Sequence, residues 1–172
     1  MQKIVITLLL IGILFPLNAS NQERDLQAVF IGRFAKFTQW PNNNEKFFYI
    51  TVIGKNPFDQ LLNELYQDKK IRGKSVKIRY VTKLQEIAHT DILFITLANK
   101  KKIQKAIDYA TKNSILTIST QRGFAQRGGI IQLSFVMRKP HLVINNGAAK
   151  DSNIQIKSPL LAIAQEIITG EE

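Results

Sequence analysis

Positions 119–129 read Ser-Thr-Gln-Arg-Gly-Phe-Ala-Gln-Arg-Gly-Gly, with three glycines and two arginines directly after the strand-like run Ser114–Ile118. Glycine lets a backbone approach a ligand closely and arginine carries a fixed positive charge, so such a turn could cradle a phosphate. The spacing speaks against it. A phosphate loop needs G-x-x-x-x-G-K-[ST], and a dinucleotide fingerprint needs G-x-G-x-x-G opening a helix. Here Gly128 is followed by Gly129-Ile-Ile, and Ile130-Ile-Gln-Leu133 reads as a further strand, so no helix N-terminus points at an anion. The simpler reading is a strand-to-strand reversal in which glycine supplies a positive φ.

Other reactive side chains are few. The chain has two histidines, His89 and His141, and no cysteine. Glu86 and His89 stand three apart, which would place two metal ligands on one helix face with Asp91 just beyond. Zinc would still need a third ligand, and His141 is the only other imidazole. A polar helix end ahead of a buried strand accounts for the same residues. No G-x-S-x-G elbow supplies a serine nucleophile, and the 13 acids lie mostly on predicted helices instead of pairing. Neither catalysis nor a metal or cofactor is expected.

The elements that must position any site follow from periodicity. Asp25–Phe37 carries Leu26, Val29, Phe30, Phe34 and Phe37 at helical spacing, and Trp40-Pro41 ends the helix because the residue before proline leaves the helical region. Phe47–Ile53, rich in β-branched and aromatic residues, predicts a strand buried on both faces. Pro57 is placed to start a helix reaching about Tyr66. Ser75–Val81 alternates Val76, Ile78 and Tyr80 with Lys77 and Arg79, and a short helix near Lys83–Ala88 follows. Asp91–Thr96 and Ser114–Ser119 are continuous apolar strands, and between them Asn99–Lys112 gathers Ile103, Ala106, Ile107 and Ala110 on one helical face opposite the lysines. Gly129–Met137 and His141–Asn145, separated by Arg138-Lys139-Pro140, are too close for a parallel crossover and predict a hairpin. Ser158 as cap and Pro159 at the first position open a closing helix through Ile168. This alternation predicts a single-domain α/β three-layer sandwich: a mostly parallel sheet with an antiparallel C-terminal hairpin and helices on both faces.

In open α/β sheets, ligands bind outside the carboxyl ends of the strands. The loops Gly54–Phe58, Leu97–Lys100 and Ser119–Phe124 would converge there. Lys55, Asn56, Ser119, Arg122, Phe124 and Arg127 are therefore the candidate ligand- or partner-contacting residues, with Arg122 and Lys55 suited to an anion. Phe124 reads first as a core anchor.

At 172 residues, 45% hydrophobic and 22% charged, the chain has the size and balance of one ordinary globular domain. Met1–Ser20 combines one lysine, an apolar stretch over Ile4–Leu14 and a short tail of small and polar residues, the pattern of a secretory signal peptide cleaved near Ala19. The expected organisation is a leader over 1–19 and one domain over 20–172. The apolar stretch falls short of the roughly 20 residues of a membrane span, so no stable membrane anchor is expected. The net charge of +11, or +10 without Lys3, favours acidic partners or anionic surfaces, although dispersed lysines mostly read as solvated faces. Export makes nucleic acid a poor partner, and without cysteine stability must come from core burial.

An ordered set of segments now becomes informative: Phe30-Ile-Gly-Arg-Phe-Ala-Lys-Phe-Thr-Gln-Trp-Pro41, Val52-Ile-Gly-Lys-Asn-Pro-Phe58, Ile92–Ile95, Leu116–Ser119, Gly123–Ile130, Ile144-Asn145 with Ala148-Ala149, and Ser158–Leu161. Together, in this order, they resemble the YfiR/HmsC-like family of exported regulators. The resemblance implies a periplasmic repressor that binds the periplasmic part of an inner-membrane diguanylate cyclase of the YfiN type. Release of that partner would raise cyclic-di-GMP and favour biofilm formation. A homodimer is left open, and a small-molecule or peptide sensor with its ligand in the strand-end crevice is the alternative. Members commonly carry a cysteine just before the I-L-F-I strand. This chain has Thr90-Asp91 there, so redox control is not carried over.

Overall fold

Along Ile92–Ile95 successive side chains enter opposite cores: Ile92 and Phe94 join one apolar cluster, Leu93 and Ile95 another. A strand buried on both faces belongs in the middle of a sheet. The computed structural model describes residues 19–42 and 44–170 and bears this out. The expected leader, but for its last residue, lies outside the described residues.

In chain order the elements are α1 (Ala19–Lys36), β1 (Thr38–Gln39), β2 (Phe47–Ile53), α2 (Leu61–Tyr66), β3 (Lys70–Ile71), β4 (Lys74–Val81), β5 (Ile92–Ile95), α3 (Lys100–Lys112), β6 (Leu116–Ser119), β7 (Ile131–Val136), β8 (Lys139–Asn145), α4 (Asn146–Asp151), β9 (Gln155–Ile156), α5 (Ser158–Leu161) and β10 (Glu166–Ile168), with single 3-10 turns at Leu84–Glu86 and Ala125–Arg127. Eight strands form one sheet in the order β10-β8-β7-β6-β5-β2-β4-β3, parallel except for the β7–β8 and β3–β4 pairs. Helices α1, α2, α4 and α5 bury Ile31, Phe34, Leu62, Ala149 and Leu160 on one face, while α3 buries Ile103, Ala106, Ile107 and Ala110 on the other. The fold is the α/β sandwich that the alternation predicts.

Several local expectations give way to tertiary context. The buried face of α1 centres on Ala28, Ile31, Phe34 and Ala35, whereas Val29 is 36% exposed. Small alanines let the helix sit close to the sheet, so the large residues alone misplace its stripe. Helix α2 begins at Leu61, not Pro57, because Asn56 Oδ1 accepts from Phe58 N at 2.9 Å and Asp59 has a φ of 48°, which together hold 56–59 as a loop. The C-terminal hairpin turns at Met137-Arg138, both with positive φ, instead of at 138–140, and Pro140 lies in β8 opposite Phe135. The closing helix stops at Leu161 and its N-cap is Lys157, with Ser158 already inside it. Gln165 then exchanges bonds with Leu142 in both directions, at 2.6 and 2.9 Å, and this draws Glu166–Ile168 alongside β8 as an edge strand.

The opening stretch changes most. β6 and β7 run parallel, so residues 120–130 do not reverse the chain but carry it across as a compact crossover around the 3-10 turn. Gly123 has a φ of 72°, and a Cβ there would lie 2.9 Å from Arg127 Nη1. Gly123→Val is expected to cost about 2 kcal/mol, since a β-branched side chain is strained at positive φ. Urea unfolding checks this, and an unchanged midpoint would refute the requirement.

Candidate functional site

Three loops meet at the carboxyl ends of β2, β5 and β6. Gly54 N donates to Val81 O at 2.9 Å, closing the first loop against β4. Thr96 Oγ1 lies 2.9 Å from Ile53 O and 2.8 Å from Lys55 O, so one hydroxyl ties the second loop to the first. Gln121 Nε2 donates to Leu97 O, and Ser119 Oγ donates to Ile95 O at 2.7 Å, joining the third loop to the second. The convergence expected from the strand order is present, and side-chain bonds to backbone carbonyls hold it.

The six sequence candidates divide by burial. Ser119 is fully buried and spends its hydroxyl on β5. Asn56 uses both ends of its amide on its own loop, accepting from Phe58 N and donating to Asp59 O at 3.0 Å. Phe124 is fully buried in the core beneath α3. Arg127 folds back so that Nη1 donates to Arg122 O at 3.2 Å. Lys55 and Arg122 are exposed, and among the described residues neither side chain has an ion-pair partner.

Buried polar groups from three other elements pin the crossover loop. Gln132 Oε1 accepts from Phe124 N at 2.8 Å, Thr117 Oγ1 accepts from Ile130 N at 2.9 Å, and Asn145 Nδ2 donates to Ala125 O at 2.9 Å. Asn145 Oδ1 also caps α4 by accepting from Ala148 N at 2.8 Å. Each bond satisfies a backbone group that would otherwise be buried unpaired. The glycine- and arginine-containing loop is therefore held as a rigid structural unit.

The N-terminal half of α1 lies over these strand ends. Asn21, Glu23, Arg24 and Gln27 face Pro57, Phe94, Thr96 and Thr120 across an open recess of about 390 Å³. Arg24 reaches Asp25 Oδ1 and Asp59 Oδ2, each at 3.4 Å, and Glu23 adds a negative group to the wall. Periodicity gave no hint of the α1 residues, because only the tertiary fold carries that helix across the sheet.

Two further arrangements explain segments of the ordered set. Tyr66 Oη accepts from Gly32 N and donates to Ala28 O, both at 2.7 Å. The phenol thus bridges an amide and the carbonyl four residues earlier, the pair a regular helix turn joins directly. A Cβ at position 32 would lie 2.6 Å from that oxygen, which accounts for glycine within α1. Burial pushes the Tyr66 pKa up to about 12 despite the Gly32 bond. At the other end of β5, Thr90 Oγ1 lies 2.7 Å from Thr51 Oγ1, and Asp91 Oδ2 accepts from Tyr49 N at 2.7 Å. Where members of the family that the chain resembles commonly carry a cysteine, hydrogen bonds made by Thr90 and Asp91 tie the start of β5 to β2.

The 3-10 turn ends at Glu86, so Glu86 and His89 share no helix face. Glu86 Oε2 accepts from Thr82 N at 2.8 Å and Lys83 N at 3.1 Å, and these bonds hold its carboxyl below the usual range. His89 Nε2 lies 3.8 Å from Asp91 Oδ1, and its ring meets Tyr49 edge-on at 5.8 Å. Among the described residues no group of three His, Cys, Asp or Glu side chains is placed to hold a metal.

A family model described as YfiR/HmsC-like matches residues 24–165, nearly all of the described chain. No curated protein matches. Among solved structures, a conserved domain protein from Vibrio cholerae O1 biovar El Tor is similar with a TM-score of 0.54 at 17% identity, over 84% of this chain and 60% of that one. An ABC domain from Streptococcus pneumoniae in complex with L-Trp is similar with a TM-score of 0.53 at 13% identity, again over 84% and 60%. The chain thus spans 60% of the length of each of these two, and at such identities the likeness is one of fold.

Proposed function

Because the chain belongs to the YfiR/HmsC-like family, we propose that it is a periplasmic negative regulator that binds the periplasmic part of an inner-membrane diguanylate cyclase of the YfiN type and lowers cyclic-di-GMP. The family match over 24–165 carries this reading. The signal-peptide pattern over residues 1–19 supports export, and among the described residues no helix is long and apolar enough to cross a membrane. Repression requires the regulator to prefer the inactive state of its partner, because a ligand shifts an equilibrium only by its differential affinity. A tenfold preference is worth about 1.4 kcal/mol, and moving a partner from mostly active to mostly inactive takes several times that.

Deletion of the gene is expected to raise cellular cyclic-di-GMP and surface attachment, and the exported chain is expected to co-purify with a membrane protein that has a cyclase domain. Unchanged nucleotide levels together with no such partner would overturn the reading.

The recess under α1 favours a second role, that of a small-molecule sensor. It presents Glu23 and Arg24 beside Phe94 and Pro57, groups suited to a zwitterion with an apolar side chain. A structure of similar fold holds L-Trp. A thermal-shift screen of free amino acids, L-Trp included, tests this: a binder raises Tm without any protein partner.

A further inference from the structure

On the opposite face of the sheet, between the 3-10 turn and α3, lies a second recess of about 200 Å³. It shares no lining residue with the recess under α1. Its walls are Ile53, Leu84 and Leu97, with Thr82 and Gln85, and three lysines, Lys83, Lys102 and Lys105, bring positive charge to it. No carboxylate lines it. Glu86, the acid nearest in sequence, is turned back onto Thr82 N and Lys83 N. Lys102 and Lys105 stand on α3 within reach of the same recess and, among the described residues, form no ion pair.

Lys102 and Lys105 bring positive charge to the recess without an ion-pair partner among the described residues, and an anion neutralises that charge while its body covers the half-buried Leu84 and Leu97. The size sets a limit, since a cavity of about 150 Å³ holds benzene. We propose that this recess binds a small amphipathic anion, a carboxylate or phosphate monoester carried on an apolar body about the size of one ring. Ile53, Leu84 and Leu97 take the body, and Lys83, Lys102 and Lys105 take the charge. The site goes beyond the regulator reading and stands whether or not the cyclase is the partner.

Amide NMR shifts of the ¹⁵N-labelled mature chain test it, with benzoate, phenyl phosphate, inorganic phosphate and benzylamine as probes. Benzoate or phenyl phosphate is expected to give saturable shifts confined to Thr82–Gln85 and Leu97–Lys105, and whichever binds more tightly identifies the head group. Inorganic phosphate is expected to bind at least tenfold more weakly, and benzylamine not at all. The double variant K102E/K105E, altered only at exposed positions, is expected to lose at least tenfold in affinity with an unchanged Tm, whereas Lys150→Glu on α4 is expected to bind as before. Non-saturating shifts spread over every lysine-bearing surface would overturn the proposal. So would equal binding of inorganic phosphate, or undiminished binding by K102E/K105E.

Discussion

Phe124→Ala is expected to destabilise the domain by about 3–5 kcal/mol, the range for removing a fully buried aromatic side chain from a packed core. Phe124 contributes to the cluster beneath α3 together with Leu93, Ile95, Ile103 and Ile107. The same ring explains a second glycine: a Cβ at position 129 would lie 2.1 Å from Phe124 Cε1. Gly129→Ala therefore overpacks the site and is expected to cost about 1–3 kcal/mol on its own. In the double variant F124A/G129A the added methyl enters space that the ring has vacated. Its cost is expected to fall short of the sum of the single costs by about 1 kcal/mol or more, since residues that share one cavity couple. Urea unfolding of all four proteins closes this cycle. Strict additivity would mean that Gly129 does not exist to seat Phe124.

Tyr66→Phe is the second large effect. It removes the hydroxyl that bridges Gly32 N and Ala28 O, and leaving buried backbone groups unpaired costs about 1–3 kcal/mol. The pH dependence separates this from simple loss of packing. The folded chain holds the Tyr66 phenol protonated, with its pKa raised from 10.0 to about 12 by burial. A raised folded pKa gives stability that is fully present below pH 10 and is lost as pH rises from 10 to about 12. That loss reaches about 2.7 kcal/mol at most, at about 1.36 kcal/mol per pKa unit. Melting temperatures between pH 9 and 11.5 should fall more steeply for the parent chain than for Tyr66→Phe. Parallel curves would show that the phenol does not ionise against the fold.

Helix α3 and the central strands were legible because their residues see one environment each. Ile103, Ala106, Ile107 and Ala110 recur at helical spacing and are all buried, and Asn99 caps the helix by accepting from Lys102 N. Phe47–Ile53 spans the residues expected for it. The short elements were not legible. β1 pairs with β9 across most of the chain and gains its structure from that distant partner, whereas β3 is only two residues long and turns directly through Arg72-Gly73 into β4. The Met137-Arg138 turn carries neither Asn nor Gly, the usual signal for two positive φ angles, and this shifted the expected turn by one residue.

The candidate site shows the same division. Side-chain type and strand order were enough to bring three loops together at the strand ends. They could not tell which polar residues would spend their bonds inward. Ser119 and Asn56 do so, because buried or strained backbone nearby needs partners, whereas Lys55 and Arg122 remain exposed.

By itself the sequence determined the α/β alternation, the buried face of α3, the central strands, and an ordered set of segments shared with a family of exported regulators. Those features depend on local periodicity and on residue order, which the chain carries from end to end. Only the tertiary structure decided that Ser119–Gly129 is a pinned parallel crossover, that α1 roofs one recess, and that Lys83, Lys102 and Lys105 line another. Each of these depends on groups far apart in the chain sharing space or a hydrogen bond, and neither propensity nor spacing encodes such contacts.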